Sequence, residues 1–316
     1  MKQADRQKPG DCLRLANLQR QIRHLAKEKE ALILVHNYQR PEIQDVADLV
    51  GDSLALARAA AKAKARMIVF CGVHFMAETA AILVPGRPVI APEPEAACSL
   101  ADMVDVEGLL TLKAGLPDAV VVSYVNTTAA VKAESDICCT SGNAAEVLAS
   151  IPQDKKIIFT PDRNLALWAA RRAGREVIVW PGFCPTHEAI TLDDVRAAKA
   201  AYPEAKLVVH PECSLEVAEV ADAVESTEGM VRFCRTDEAE TYLIGTEVGM
   251  LYRLQKELPH KRFYAVTGHA VCPFMKLTTL DKVLEALKEE SPVVSVEPEI
   301  GARALRAVER MIEVGK

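Results

Sequence analysis

The chain has 316 residues, half of them apolar and 26% charged, the composition of a globular protein with a substantial core. A formal net charge of -6 supplies no general basic field for nucleic acid, so any anionic ligand has to be held by local groups. The apolar runs are short, and the longest stretch, residues 67–84, carries His74 and Glu78, which argues against a membrane span.

Taken in chain order, residues 1–11 are polar and lack the apolar core of a signal peptide, so a cytoplasmic protein is expected. A helical stretch holding Cys12 leads to the first strand-like run, 31–35. Further runs follow at 67–70, 88–91, 119–123, 156–159, 176–180, 206–209, 241–244, 262–266 and 292–296. Short, β-branched, nearly continuous apolar runs suit parallel strands covered on both faces. Helical segments lie between them, most clearly 52–65 and 164–172, and this alternation predicts an α/β fold. The basic run from Arg58 to Arg66 reads as the solvated face of the first of these helices.

The spacing adds a repeat. His36, Tyr124 and His210 each follow a strand and are separated by 88 and 86 residues. Ser53, Ser141 and Thr227 share those separations, and Cys98, Cys184 and Cys272 are separated by 86 and 88. A period this long describes a small domain rather than a solenoid unit. Three pseudo-symmetric parallel-sheet α/β/α domains are therefore predicted around a central site: 14–112 with 292–316 returning to it, 113–196, and 197–291. Ligands of open parallel sheets sit beyond the carboxyl ends of the strands, where all three residue sets fall.

Nine cysteines with no C-x-x-C pair, in a reducing compartment, argue against disulfides, zinc ribbons and ferredoxin-type clusters. Cys98, Cys184 and Cys272 lie on loops after strands, where ligands belong. Cys71, Cys138, Cys139, Cys213 and Cys234 lie in or beside apolar segments and read as small buried hydrophobes. Three thiolates without a fourth partner fit either zinc with an open position or a 4Fe-4S cluster with one open iron, and spacing does not choose between them.

Nine segments carry a resemblance. They are His36-Asn-Tyr-Gln, Gly51-Asp-Ser-Leu, Ala96-Ala-Cys-Ser-Leu-Ala, Ser123-Tyr-Val-Asn-Thr, Thr140-Ser-Gly-Asn, Gly182-Phe-Cys-Pro-Thr-His-Glu, His210-Pro-Glu-Cys, Ser226-Thr-Glu-Gly-Met and Cys272-Pro-Phe-Met-Lys. In this order, over about residues 30–280, they resemble the quinolinate synthase family. The resemblance implies one 4Fe-4S cluster held by Cys98, Cys184 and Cys272, with one open iron. It implies condensation of iminoaspartate with dihydroxyacetone phosphate to quinolinate for NAD biosynthesis, with transient contact to the L-aspartate oxidase that supplies the imine. It implies a substrate site of His36, Ser53, Tyr124, Asn126, Ser141, His210, Glu212 and Thr227, with Tyr38, Glu212 and His210 in proton chemistry. One departure stands out: Thr278 occupies the place where the resemblance implies an Asn before Thr-Leu.

The residues themselves admit plainer readings. Ser53, Ser141 and Thr227 are also ordinary N-caps, although a capped helix start is itself an anion site. Partial burial is expected to raise the Glu212 carboxyl towards neutrality, or else Glu212 caps a helix starting near Ser214. His187 is either a partner of the metal site or a cap for a helix near Thr186. Two rival functions remain, a zinc-dependent lyase or aldolase and a non-enzymatic cluster carrier. No nucleic-acid or membrane partner is expected.

Overall fold

The computed structural model describes residues 9–314. Its strands are β1 (Ala31–His36), β2 (Leu49–Gly51), β3 (Met67–Cys71), β4 (Val89–Ile90), β5 (Val120–Tyr124), β6 (Ile137–Cys139), β7 (Ile157–Thr160), β8 (Ile178–Val179), β9 (Lys206–Val209), β10 (Ala223–Val224), β11 (Thr241–Gly245) and β12 (Arg262–Ala265). They form three four-stranded sheets in the orders β2-β1-β3-β4, β6-β5-β7-β8 and β10-β9-β11-β12. Every pairing within these sheets is parallel. The same order three times over is the α/β architecture that the spacing predicts.

β2, β6 and β10 escape the sequence reading because two or three residues show no periodicity. A shared clip holds them in place. Asp48, Asp136 and Asp222, again 88 and 86 residues apart, each bond one residue of the neighbouring central strand twice. Their Oδ2 atoms accept from the N–H of Ile33, Val121 and Leu207 at 2.7, 2.8 and 2.7 Å. Their own N–H groups donate back to the carbonyls of the same residues at 3.0, 3.0 and 2.9 Å.

The run at 292–296 is not a strand. It meets the first sheet at an isolated antiparallel bridge, Ile90 to Val293. The helix Pro298–Glu313 follows it and buries Ala304, Ala307, Val308 and Met311. It packs on the helices His74–Leu83 and Ala129–Ala133 and on β6, and so joins a helix of the first unit to the second sheet. Arg58 is not merely solvated, since its guanidinium donates to the carbonyls of Ile312 and Val314 at the end of that helix.

The main apolar core is continuous across the molecule, uniting Leu34 and Phe70, Val122 and Phe159, and Val208 and Ile244 from the three sheets. Cys71, Cys138, Cys139, Cys213 and Cys234 are buried, as their apolar settings predict. No helix among the described residues is long and apolar enough to cross a membrane.

Candidate active site

A cavity of about 150 Å³ lies where the carboxyl ends of the three sheets converge. About 10–15 Å³ suffices for one water, so the space suits small molecules rather than a polymer. Its lining includes His36, Tyr38, Ser53, Cys98, Tyr124, Asn126, Ser141, Cys184, His210, Glu212, Thr227 and Cys272. Twelve residues nominated from sequence thus meet in one place.

The cysteine loops are tied alike. In each sheet the central strand pairs with its neighbour at Val35↔Cys71, Ser123↔Thr160 and Val209↔Gly245. Three residues beyond that point, the N–H of His74, Arg163 and Val248 donates to the carbonyl two residues before the cysteine. The acceptors are Ala96, Gly182 and Ala270, at 2.7, 2.8 and 3.0 Å. At Gly182 the approach is so close that a Cβ would stand 2.5 Å from the Pro161 carbonyl oxygen.

His36 and His210 are repeat-equivalent in bonding as well as in position. The Nδ1 of each accepts the N–H two residues on, from Tyr38 at 3.2 Å and Glu212 at 3.3 Å. This leaves the proton of a neutral ring on Nε2, and His210 Nε2 lies 3.1 Å from Ser141 Oγ. Burial holds both rings near a pKa of about 3, with each further disfavoured by a neighbouring histidine. They are neutral hydrogen-bond donors near pH 7.

Glu212 corrects an expectation. Burial pushes its carboxyl up, but His187 beside it and the hydrogen bonds it accepts from His187 and Tyr124 outweigh that and hold it below the usual carboxylate range. Its Oε1 accepts from the Tyr124 hydroxyl, and its Oε2 lies 2.8 Å from His187 Nδ1. The cap at the next helix, Leu215–Glu219, is instead Ser214, whose Oγ accepts from Val217 N at 3.4 Å. Burial, and then Glu212, raise the phenols of Tyr38 and Tyr124 well above 10, so both keep their protons.

His187 is 2% exposed and joins these groups. Its Nδ1 lies 3.2 Å from Cys184 Sγ, and its Nε2 lies 2.8 Å from Thr246 Oγ1, which is 2.6 Å from the Tyr38 hydroxyl. One assignment satisfies the chain: Tyr38 donates to Thr246, Thr246 to His187 Nε2, and His187 Nδ1–H and Tyr124 to Glu212. Thr246 carries no motif, and only its place one residue past β11 could have marked it.

The hydroxyl set is not a set of caps. Asp52 and Ser226 cap the helices Ser53–Lys62 and Thr227–Thr236 through Ala55 N and Gly229 N. Ser53 and Thr227 are therefore first-turn residues, with their hydroxyls beside the exposed N–H groups of the helix start. Thr227 Oγ1 accepts from Asn37 Nδ2 at 2.6 Å, a residue that sequence reasoning passed over. Asn126 Oδ1 is sealed from solvent and has no partner among the described residues, although it belongs to the lining. Thr278, in the departing segment, is 1% exposed, and its Oγ1 likewise has no partner.

Burial drives the thiols up, that of Cys98 to about 12, so buried thiolates here need a cation beside them. Among the described residues, ligand atoms mutually within 4.8 Å are found at Cys184, His187 and Glu212, a group that excludes Cys98 and Cys272. Three thiolates on one tetrahedral zinc would stand roughly 3.8 Å apart. Cys98, Cys184 and Cys272 all line the one cavity.

Residues 20–313 match the family model described as quinolinate synthetase A protein. The chain is 53% identical over 292 residues to the quinolinate synthase of Desulforudis audaxviator, covering 92% of this chain and 96% of that protein. It is 52% identical over 297 residues to that of Methanoregula boonei, with coverage of 94% and 98%. With the quinolinate synthase of Thermodesulfovibrio yellowstonii it shares 53% identity over 293 residues, at 92% and 96%. Matches of this length, over a fold of three like sheets and one shared cavity, have one meaning: the chain belongs to the quinolinate synthetase A family.

Proposed function

We infer that this protein is a quinolinate synthase, joining iminoaspartate to dihydroxyacetone phosphate to give quinolinate, phosphate and two waters. The observation that carries this reading is the convergence of all twelve nominated side chains on one cavity in a chain of this family. The three sheets support a division into domains at 14–112 with 292–316, 113–196 and 197–291.

The substrates together bring two carboxylates and a phosphate. The starts of Ser53–Lys62 and Thr227–Thr236 offer unpaired N–H groups and the positive end of the helix dipole, with the Ser53 and Thr227 hydroxyls alongside. The Nε2–H groups of His36 and His210, Ser141 Oγ and the Asn126 amide add neutral donors and one unsatisfied acceptor. Neutral donors bind anions without an opposing buried charge of their own.

Ring closure and aromatisation require protons to be taken from carbon and given to departing oxygens. Glu212, held ionised, is the base, and Tyr38 and Tyr124, held protonated, are the acids. Tyr38 reaches Glu212 through Thr246 and His187, so the two ends of the network can exchange a proton without solvent. Membership of this family favours a 4Fe-4S cluster over zinc, held by Cys98, Cys184 and Cys272. Such a cluster, when bound, supplies an open iron as a Lewis acid for loss of hydroxide. An imine hydrolyses in water, which supports direct receipt from L-aspartate oxidase, and nine cysteines without a C-x-x-C pair support a cytoplasmic setting.

The test is metal and sulfide analysis of anaerobically purified protein together with a quinolinate assay. About four iron and four sulfide per chain are expected in the wild type, with loss in Cys98→Ala, Cys184→Ala and Cys272→Ala. Glu212→Gln should keep its iron and lose turnover by about 10²–10⁴-fold. Zinc in the wild type would turn the reading towards a metal lyase, and full turnover in Glu212→Gln would remove the base.

A further inference from the structure

Each cysteine loop is tied by the same backbone bond, from His74, Arg163 or Val248, but two of the three carry an additional support. Two residues past the register point of the sheet stand Val73, Asp162 and Glu247. Asp162 and Glu247 are both 0% exposed. Asp162 Oδ2 accepts the N–H of Cys184 at 3.2 Å, and Glu247 Oε1 accepts the N–H of Cys272 at 3.2 Å. The other oxygen of each carboxylate is spoken for in the same manner. Asp162 Oδ1 accepts from Leu165 N at 2.7 Å, and Glu247 Oε2 accepts from Gly249 N at 2.7 Å.

We propose that Asp162 and Glu247 are positioning residues that strut the Cys184 and Cys272 loops against the helices Arg163–Ala173 and Met250–Glu257, holding those two cysteines ready for the metal cofactor. The inference rests on the reading of these cysteines as metal ligands. A carboxylate with one oxygen on a helix start and the other on the cysteine N–H fixes that loop at two points. Lys276 Nζ, 2.9 Å from Glu247 Oε1, braces the second strut further. At the first loop Val73 offers no acceptor, so a strut of this kind is missing beside Cys98. The two acidic residues differ in length and in their spacing to the cysteine, yet make the same pair of bonds, which is hard to ascribe to helix capping by itself.

Partners that orient metal ligands typically contribute 10–100-fold to metal retention. In the anaerobically purified protein, Asp162→Asn and Glu247→Gln should therefore release bound metal to a chelator about tenfold faster than wild type. Asp136→Asn, which breaks a strand clip away from the cavity, serves as control and should release at the wild-type rate. After stripping, alkylation followed by mass spectrometry should find Cys184 alone faster in Asp162→Asn and Cys272 alone faster in Glu247→Gln. Glu247→Asp, one methylene shorter, should release at an intermediate rate and serves if Glu247→Gln does not fold. Wild-type release rates in the strut variants, acceleration in the control, or both cysteines exposed together would overturn the proposal. Zinc in place of iron in the wild type would sink the functional reading, while the rate ratios would still decide the struts.

Discussion

At the residue scale the cavity works by keeping each group in one protonation state, and Asp52 is where that costs stability. Burial, with Glu228 adding to it and Ala55 N opposing, raises its pKa to about 6. The native state holds this proton more tightly than the unfolded chain, whose aspartate titrates near 3.9. The stability gained from protonated Asp52 is therefore present below about pH 4 and lost as pH rises through about 6. Asparagine caps as well as aspartate. Asp52→Asn should thus gain about 2–3 kcal/mol at pH 8 and almost nothing at pH 4, read as the difference in urea midpoints. His36 and His210 titrate the other way, losing stability as pH falls from about 6.5 towards 3, but they are common to both proteins and cancel in the comparison. Nine of the twelve nominated residues were legible in the spacing, whereas Tyr38, Asn126 and Glu212 were marked only by the family resemblance. Thr246 and His187 were harder, since a proton chain between phenol and carboxylate depends on side-chain directions that spacing does not encode. The Glu212 expectation failed for a related reason: burial alone raises a carboxyl, and only the folded neighbours reverse the sign.

At the scale of elements, the aspartate clips decide the sheet edges. Each clip gives the N–H of a buried strand residue its acceptor, and removing it leaves that donor unpaired. Asp222→Ala should lower unfolding free energy by about 1–3 kcal/mol in chemical denaturation, with β10 the first pairing to lose amide protection. An aspartate beside an apolar run reads as a turn signal in sequence, which is why three clips in perfect register went unread. Long runs such as β3 and β5 were visible because both of their faces are buried. The run at 292–296 had the right composition but only one bridging partner, so composition without pairing gave a strand that is not there. The struts were hidden by a single residue. Asp162 and Glu247 are 85 apart, off the 86-residue register, because the segment entering β7 is one residue longer than its counterparts, 19 from Ser141 to Thr160 against 18 from Ser53 to Cys71 and from Thr227 to Gly245.

At the scale of the molecule, the helix Pro298–Glu313 ties the helices packed on the first sheet to the second sheet. Met311 is fully buried among residues of the shared core, and Asn143 Nδ2 donates to its carbonyl at 2.9 Å. Met311→Ala should cost about 2–5 kcal/mol, measured by denaturant unfolding, with the site residues themselves untouched. The three sheets and their α/β class were legible throughout, but this clamp was not. An amphipathic helix announces a buried face without naming the surface that receives it.

The same clip, the same backbone tie and the same strand order occur three times, yet the residues at the carboxyl ends of β1, β5 and β9 are His36, Tyr124 and His210. Three separate copies of one unit could only present identical groups to their common axis. Such a ring would suit a symmetric guest, such as a metal bound by one cysteine from each. It could not tell an imine from a phosphate ester. Linking the copies in one chain lets each wall of the chamber mutate alone, and a reaction between two unlike molecules needs walls that differ.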